Sequence, residues 1–462
     1  MTSYEDPANS IHRLPWPSDD PVTPRQALQR LRARCPVEVD ELIEQLPPDA
    51  DALIWRASSE VLETLPTPWD FTPWRRLVGS RKLALDLTVG LERQAIQALS
   101  EAGFVLQRRE ILDSDPPRVW WVGQADENYR IRLCREDDEP TILELFTPLF
   151  HSARSARHWR WKYLQNPWGR RWISLAETRD GELAAHYAGY PTPFVRWRDG
   201  TAENLLAVQI GDTMTAPEHR QVGLGWTSLL GRAVRHHFAR FGREGIAFYY
   251  GFNTGKIRNF NLRFIRGRWA GSVGFYRRSL PLEPTRRRHA GAARLELDHL
   301  PEREVDELFD RAGPAYRMLV RRDAAWLRWR YAECPDEPCF FAVALRVRDR
   351  LVGWGVFRRH LHPVTGRAQL RWVDAFISTE VTQAVGLLIA EALRQPEAQG
   401  VEEITAWFSP RPRWWVDALF DLGFERVAEP DDLGLIYLPF DDSSADATFL
   451  DLYYTWGDSD LT

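Results

Sequence analysis

The chain has 462 residues, a formal net charge of −5 and 44% hydrophobic residues. That length predicts two or three domains, and the apolar content suffices for real cores, which excludes a disordered chain. The acidic balance gives no reason to expect nucleic acid or an anionic membrane as partner, and no run approaches the ~18–20 continuous apolar residues of a membrane span. The polar start Met-Thr-Ser-Tyr-Glu-Asp-Pro lacks the layout of a signal peptide. Four scattered cysteines, Cys35, Cys134, Cys334 and Cys339, make no disulfide framework and have no metal-ligand spacing, so a reduced, cytoplasmic protein without a metal is expected. All but three of the 60 basic residues are arginine, a bias that suits GC-rich coding more than a function.

In chain order, residues 1–20 read as a loose polar tail. A helical pattern then runs from Pro24 through Leu28, Leu31, Leu42 and Ile43 to the Pro47-Pro48 breaker. Strands are predicted at 52–55 and 82–88, a helix at 91–102 capped by Gly103, and a further strand from Phe104. This makes 1–125 a small α/β region of unknown role. From 126 the texture changes. A strand at 129–134 precedes a helix with Ile142, Leu145, Phe146, Leu149 and Phe150 on one face, then strands at 172–177, 183–189 and 192–197.

The stretch 205–238 stands out. An apolar run ending Gly211-Asp-Thr-Met-Thr suits a buried strand. Two glycines one residue apart, Gly223 and Gly225, make a turn. Trp226, Leu229, Leu230, Ala233, Val234, His237 and Phe238 then mark one face of an amphipathic helix. Strand, glycine-bearing loop and helix N-terminus form a ready anion cradle, because free N–H groups and the helix dipole point at whatever sits there. A buried strand follows at 246–252, and Asn253 opens a loop and short helix.

Residues 281–300, with Pro281, Pro284 and Arg286-Arg-Arg, read as a linker. Beyond it the chain repeats itself. His158-Trp-Arg-Trp-Lys-Tyr-Leu-Gln-Asn-Pro matches Trp326-Leu-Arg-Trp-Arg-Tyr-Ala-Glu-Cys-Pro, and the constant offset of 168 also sets Leu183 opposite Leu351. Such a repeat argues for two domains of one fold, over 126–280 and 300–462. The second copy has a strand at 370–377 but no paired glycines after it, so the cradle is missing there.

Arg220-Gln-Val-Gly-Leu-Gly after a strand resembles motif A of the GNAT acyltransferases, Arg/Gln-x-x-Gly-x-Gly/Ala. The order of elements over 129–278 is similar to that fold too. Trp161-Lys-Tyr, Asn166-Pro, Gly211-Asp-Thr-Met-Thr and Gly457-Asp-Ser-Asp resemble a bacterial group of long GNAT-like proteins linked to cell-surface polysaccharide or secondary metabolism. The resemblance implies an α/β protein of two tandem GNAT-like mixed-sheet domains, the second degenerate. It implies acetyl-CoA or another acyl-CoA as co-substrate. The pantetheine would run beside Met214 and Thr215, and the pyrophosphate would lie on the amides around Arg220, Gln221, Val222, Gly223, Leu224, Gly225, Trp226 and Thr227, with Asn253 at the neighbouring strand end. Glycines serve there because backbone N–H groups can approach a phosphate with no Cβ in the way. The family usually has Gly and a basic residue or Gln after the Arg, where this chain has Gln221 and Val222.

The implied reaction is direct attack of a small-molecule amine on the thioester, which needs a base and an acid. Asp212 is the candidate base. The family's acid is a Tyr in the helix after the Asn, where this chain has Phe260 and Phe264, so Tyr249 and Tyr250 are the candidate acids. His219 reads as an exposed turn residue, His236-His237 as helix surface and core edge, and Asp458 and Asp460 as acids capping a neighbouring domain. The leading expectation is an N-acetyltransferase acting on a small metabolite or amino sugar. The alternatives are an aminoacyl transferase of the peptidoglycan-peptide type, which tends to lack motif A, and a non-catalytic protein that keeps the fold for binding.

Overall fold

A computed structural model describes residues 52–55, 82–112, 117–150, 154–242, 245–281, 290–335, 340–362, 365–440 and 451–460. The helix expected from Pro24 and the arginine run at 286–288 lie outside the described residues. The first elements are β1 (Ala52–Trp55), β2 (Lys82–Thr88), α1 (Glu92–Glu101), β3 (Phe104–Leu112), β4 (Arg118–Ala125) and β5 (Tyr129–Leu133). Next come α2 (Glu139–Phe150), α3 (Ala156–Tyr163), β6 (Ile173–Thr178), β7 (Leu183–Arg198), β8 (Thr201–Thr215) and α4 (Leu229–Phe241). Then follow β9 (Ile246–Asn253), α5 (Gly255–Arg263), β10 (Arg268–Ser272) and β11 (Phe275–Ser279). The second half holds β12 (Ala290–Leu295), α6 (Glu302–Ala312), β13 (Met318–Val320), α7 (Ala324–Leu327), β14 (Phe341–Val347) and β15 (Arg350–Leu361). It ends with β16 (Ala368–Ile377), α8 (Val385–Arg394), β17 (Glu403–Trp407), α9 (Arg413–Asp421), β18 (Glu425–Val427), β19 (Gly434–Pro439) and β20 (Leu452–Tyr453). The protein is mixed α/β, as the sequence predicts.

Two compact units divide the chain. The first takes residues 1–154, 172–188 and 212–243. Its four-stranded sheet runs β1-β2-β4-β3. Ala95, Ala98 and Leu99 bury one face of α1, and Gly103, at φ 82, turns the chain out of it in a conformation that costs a glycine little. Arg109 on β3 grips Glu92 at the start of α1 at 2.5 Å. Helix α1 lies against α4, where the carboxylate of Glu101 meets His236 Nε2 at 3.1 Å. The small N-terminal region therefore packs its helix directly on the helix that follows the glycine loop.

The second unit takes residues 155–171, 189–211 and 244–462 and contains the repeated segments. Both open on a capped helix, which stays α-helical through Tyr163 in the first and turns into a π-helix over Arg328–Ala332 in the second. Ser155 caps α3 by accepting from the His158 N–H, and Asp323, its repeat mate, caps α7 by accepting from the Trp326 N–H. The matched tryptophans Trp161 and Trp329 stack on each other at 4.9 Å, and the Trp161 indole donates to the Trp329 carbonyl at 2.8 Å.

The repeats also exchange strands. In β10-β11 and in β18-β19 the second strand leaves its own repeat: β11 lies between β17 and β18, and β19 lies between β9 and β10. Strand β13 also pairs with β7, so backbone hydrogen bonding crosses the expected 281–300 boundary at three places among the described residues.

The C-terminal tail is also built into this unit. Arg322 is fully buried and bonds Asp374 at 3.0 Å and Asp458 at 2.5 Å, while the Tyr331 hydroxyl donates to Asp374 at 2.7 Å. Two carboxylates share one guanidinium. Burial, opposed by Arg322 and reinforced by Asp374, pushes Asp458 up to about 6. Asp458 is a core residue of the unit. Asp460 pairs with Lys162 at 3.2 Å.

Candidate functional site

The end of β8 and the loop after it build the candidate site. Parallel pairing of β8 with β9 covers Leu206 to Gln209. Asp212 then turns through the left-handed region at φ 51, a conformation that Asp tolerates better than most side chains. Two contacts hold this bend. The Asp212 carboxylate pairs with Arg154, and its carbonyl accepts from His186 Nδ1 at 2.7 Å. Arg154 is fixed in turn over the Phe146 ring at 4.2 Å. Beyond the bend, Met214 is buried and Thr215 half-buried, and the Ala216 N–H bonds the Ala184 carbonyl on β7 at 2.9 Å.

The loop then makes two short 3-10 turns, Pro217–His219 and Gly225–Thr227. Arg220 reaches back to the Thr215 carbonyl at 3.2 Å and ties the loop to the strand end. Gly223 at φ 68 and Gly225 at φ 53 both lie in the left-handed region. A Cβ on Gly223 would strike the Thr227 carbonyl oxygen and stand 2.9 Å from the Ser228 nitrogen. The missing Cβ at 223 thus lets the loop fold onto its own helix start. Its absence does not open space toward a ligand.

The loop's hydrogen bonds account for some of its donors and leave others over. The Val222 N–H bonds the His219 carbonyl, the Leu224 N–H bonds Thr227 Oγ1 at 3.1 Å, and the Thr227 and Ser228 N–H groups bond the Leu224 and Gly225 carbonyls. Among the described residues, the N–H groups of Gln221, Gly223, Gly225 and Trp226 make no bond within the chain. Of these four, Gln221 and Gly223 are exposed, Trp226 is half-buried and Gly225 is buried.

The helix starts later than the apolar spacing predicts. Ser228 is the cap, its Oγ accepting from the Gly231 N–H at 3.1 Å, and α4 begins at Leu229. Trp226 stays in the loop. Its carbonyl accepts from Arg235 at 2.8 Å, and Arg235 lies over its ring at 5.3 Å. Burial, with Arg232 nearby, pushes the Arg235 guanidinium down to about 10. Arg232 is buried and bonds Asp126 at 2.7 Å.

Both histidines of α4 are buried, which corrects the surface expected for His236. It meets Ser174 Oγ at 2.8 Å, while His237 packs on Phe241 and Tyr187, and burial holds His237 well below the usual imidazole range. His219 is half-buried against the Tyr129 hydroxyl at 3.1 Å, where an exposed turn residue was expected. Glu182, Glu218 and His219 bring ligand atoms within 4.8 Å of one another, but Tyr129 already holds the imidazole and both carboxylates are exposed.

The tyrosines and Asn253 belong to the second unit. Neighbouring strand residues point to opposite faces. Tyr250 donates to Gln209 Oε1 at 3.0 Å, while Tyr249 lies against Phe440 at 5.1 Å. Only one of the two can serve a given site. Burial raises Tyr250 above the usual phenol range, so its hydroxyl keeps its proton. The Asn253 Oδ1 accepts from Asn261 at 2.8 Å, and the rings of Phe260 on α5 and Phe264 at its C-cap lie 5.5 Å apart. Arg154, the partner of Asp212, is the residue that sequence reasoning missed. Their 58-residue separation leaves no local signal. The Ser228 cap was missed too, because the apolar spacing starts the helix at Trp226.

Residues 130–264 match a family model described as an acetyltransferase (GNAT) domain. No curated protein sequence matches the chain. Among solved structures, the chain is similar to a GCN5-related N-acetyltransferase from Anabaena variabilis at 12% identity, covering 68% of this chain and 73% of that one, with a TM-score of 0.48. It is similar to a probable N-acyltransferase from Enterococcus faecalis at 12% identity, covering 67% and 70%, with a TM-score of 0.45. It is also similar to the Saccharomyces cerevisiae N-myristoyltransferase with bound myristoyl-CoA at 11% identity, covering 67% and 82%, with a TM-score of 0.46. Among the described residues, no helix is long and apolar enough to cross a membrane.

Proposed function

We propose that this chain, whose residues 130–264 match the model of an acetyltransferase (GNAT) domain, is an acyl-CoA-dependent N-acyltransferase acting on the amine of a small metabolite or amino sugar. Acetyl is the first acyl group to test. The observation that carries the reading is the set of N–H groups of Gln221, Gly223, Gly225 and Trp226, left without a bond within the chain on a loop that exposes Gln221 and Gly223 and that Arg220 ties to the strand end. A pyrophosphate supplies the anionic oxygens these donors lack, and each charge-assisted bond contributes about 1.5–3 kcal/mol. In this reading the pantetheine amides pair with the backbone at Met214 and Thr215.

In the reaction the neutral amine attacks the thioester carbonyl. The C–N bond forms, the C–S bond breaks, the nitrogen gives up one proton to solvent water, and the departing thiolate takes one proton. We assign the acid to Tyr250 over Tyr249, because Gln209 fixes the direction of its hydroxyl. Asp212 is assigned to positioning. Its carboxylate is engaged by Arg154, and it holds the bend that sets the course of Met214 and Thr215.

A second reading, a non-catalytic binding protein, is favoured by Phe260 on α5 and Phe264 at its C-cap, since that helix offers no tyrosine. Calorimetric titration with acetyl-CoA tests the shared donor site, and acetyl-CoA turnover with an amine panel separates the two readings. Absence of binding at millimolar acetyl-CoA would sink the first reading.

A further inference from the structure

The sheet of the second repeat carries a basic row for which the proposed reaction has no use. Arg358 on β15 stands directly opposite Arg371 on β16, and Arg371 stands opposite Thr405 on β17. His360, two residues from Arg358, shares their face. Like charges directly opposed on neighbouring strands destabilise a sheet, and both arginines are half-buried. Neither has an ion-pair or hydrogen-bond partner among the described residues. Four buried polar atoms on this face, Arg358 Nε, Arg371 Nε, His360 Nε2 and Thr405 Oγ1, are left without one.

The charges around the row do not neutralise it. Arg330 adds a third cation, already bonded to the Gly457 and Ser459 carbonyls at 2.8 and 2.9 Å. Glu403, in the next row, is taken by Gln369 at 2.5 Å and faces Arg277 at 4.0 Å, while Asp431 acts on Arg371 only from a distance. Burial and the facing Arg358 push the Arg371 guanidinium down to about 9, and burial with both arginines pushes His360 down to about 4. Trp456 lies 4.3 Å from Arg371 Cζ, which steadies the guanidinium plane and leaves its outer donors available. The same offset that aligns the repeats places Tyr190 and Thr192 at the positions of Arg358 and His360, so the basic row belongs to the second copy alone.

We propose that Arg358, Arg371, His360 and Thr405 form a binding site for a phosphate dianion, free or as a monoester. Two forked guanidinium groups match the geometry of a tetrahedral oxyanion, and its double charge cancels theirs. A monocarboxylate would leave one charge over. Neutral His360 and the Thr405 hydroxyl each add one donor. The site is independent of the glycine loop and is read by binding alone.

The test is thermal unfolding and calorimetry of the full chain with inorganic phosphate, glucose 6-phosphate, acetate and chloride at matched ionic strength. Phosphate or the phosphate ester is expected to raise Tm by roughly 2 °C or more over chloride, with acetate behaving as chloride. Tenfold tighter binding of the ester would identify an organic phosphate as ligand, and equal affinity would identify free phosphate. Arg371→Met and Arg358→Met should each lose at least tenfold in phosphate affinity. In chloride they should be as stable as the parent, since each removes repulsion. A parent Tm indifferent to phosphate, an acetate effect equal to that of phosphate, or retention of the phosphate effect by both variants would overturn the proposal.

Discussion

Gly223→Ala is the sharpest test of the glycine loop. The added methyl forces a residue with φ 68 to pay the left-handed penalty of about 1–2 kcal/mol, and it collides with the Thr227 carbonyl oxygen and crowds the Ser228 nitrogen. Both are backbone atoms, so no rotamer change relieves the clash and the loop has to shift. A shift that misaligns two of the four free N–H donors removes about 3–6 kcal/mol of charge-assisted bonding. Affinity for acetyl-CoA should then fall by roughly a hundredfold or more. Calorimetry reads this directly, with far-UV circular dichroism to show that the fold survives. Leu224→Ser is the control, because Leu224 is 87% exposed and its side chain supports nothing in the loop. Affinity within about threefold of the parent, in a Gly223→Ala protein whose Tm has dropped, would show that this loop is not where the pyrophosphate binds.

Asp212→Asn keeps the left-handed bend, which Asn tolerates, but leaves Arg154 without its anion, at a cost of about 3 kcal/mol in urea unfolding. If Asp212 positions, kcat/KM falls and the acidic limb of the pH profile stays, whereas loss of that limb would identify a base. Tyr250→Phe should lower kcat at least tenfold with acetyl-CoA binding intact, and an unchanged kcat would remove Tyr250 from the mechanism. Asp458 has an unusual sign. Its folded-state pKa, about 6, lies above the ordinary carboxylate value, so the native state holds the extra proton between about pH 4 and 6 and stability from this group falls as pH rises through that window. Asp458→Asn should cancel that loss of about 3 kcal/mol, seen as a smaller stability difference between pH 4.5 and 7.5 than in the parent; an equal difference would refute the assignment. A chain divided at residue 285 should give two insoluble halves that become soluble on co-expression, because each sheet takes a strand from the other repeat. A half that folds alone would refute the exchange.

What the sequence shows depends on how local the cause is. The apolar strand and the two glycines are spelled out within 25 residues, and the repeat offset relates Ser155 and Asp323, which cap their helices alike. The start of α4 was misplaced because Trp226 fits the apolar spacing of the helix while a 3-10 turn and the Ser228 cap hold it in the loop. Arg154 with Asp212, and Arg322 with Asp374 and Asp458, join residues 50 or more positions apart. No periodicity reports such pairs. The basic row on β15 and β16 was invisible for a related reason. In an arginine-rich chain two more arginines carry no signal until strand register sets them face to face.

The strand exchange also explains why a second copy without the glycine loop persists. Where the first repeat has its glycine loop, the second has the glycine-free 3-10 stretch Thr379–Ala384 leading into α8. If the repeats were independent bodies, such a copy could be lost without harm to the first. Here β19 supplies the strand between β9 and β10, and the tail with Asp458 fills the space beside Arg322. The second repeat is therefore held by structural need, whatever its own surface binds. A copy retained for its frame can change its exposed sheet face at little cost to the first. The opposed arginines on β15 and β16 are the kind of feature that structural need alone does not explain, since they weaken the sheet that carries them.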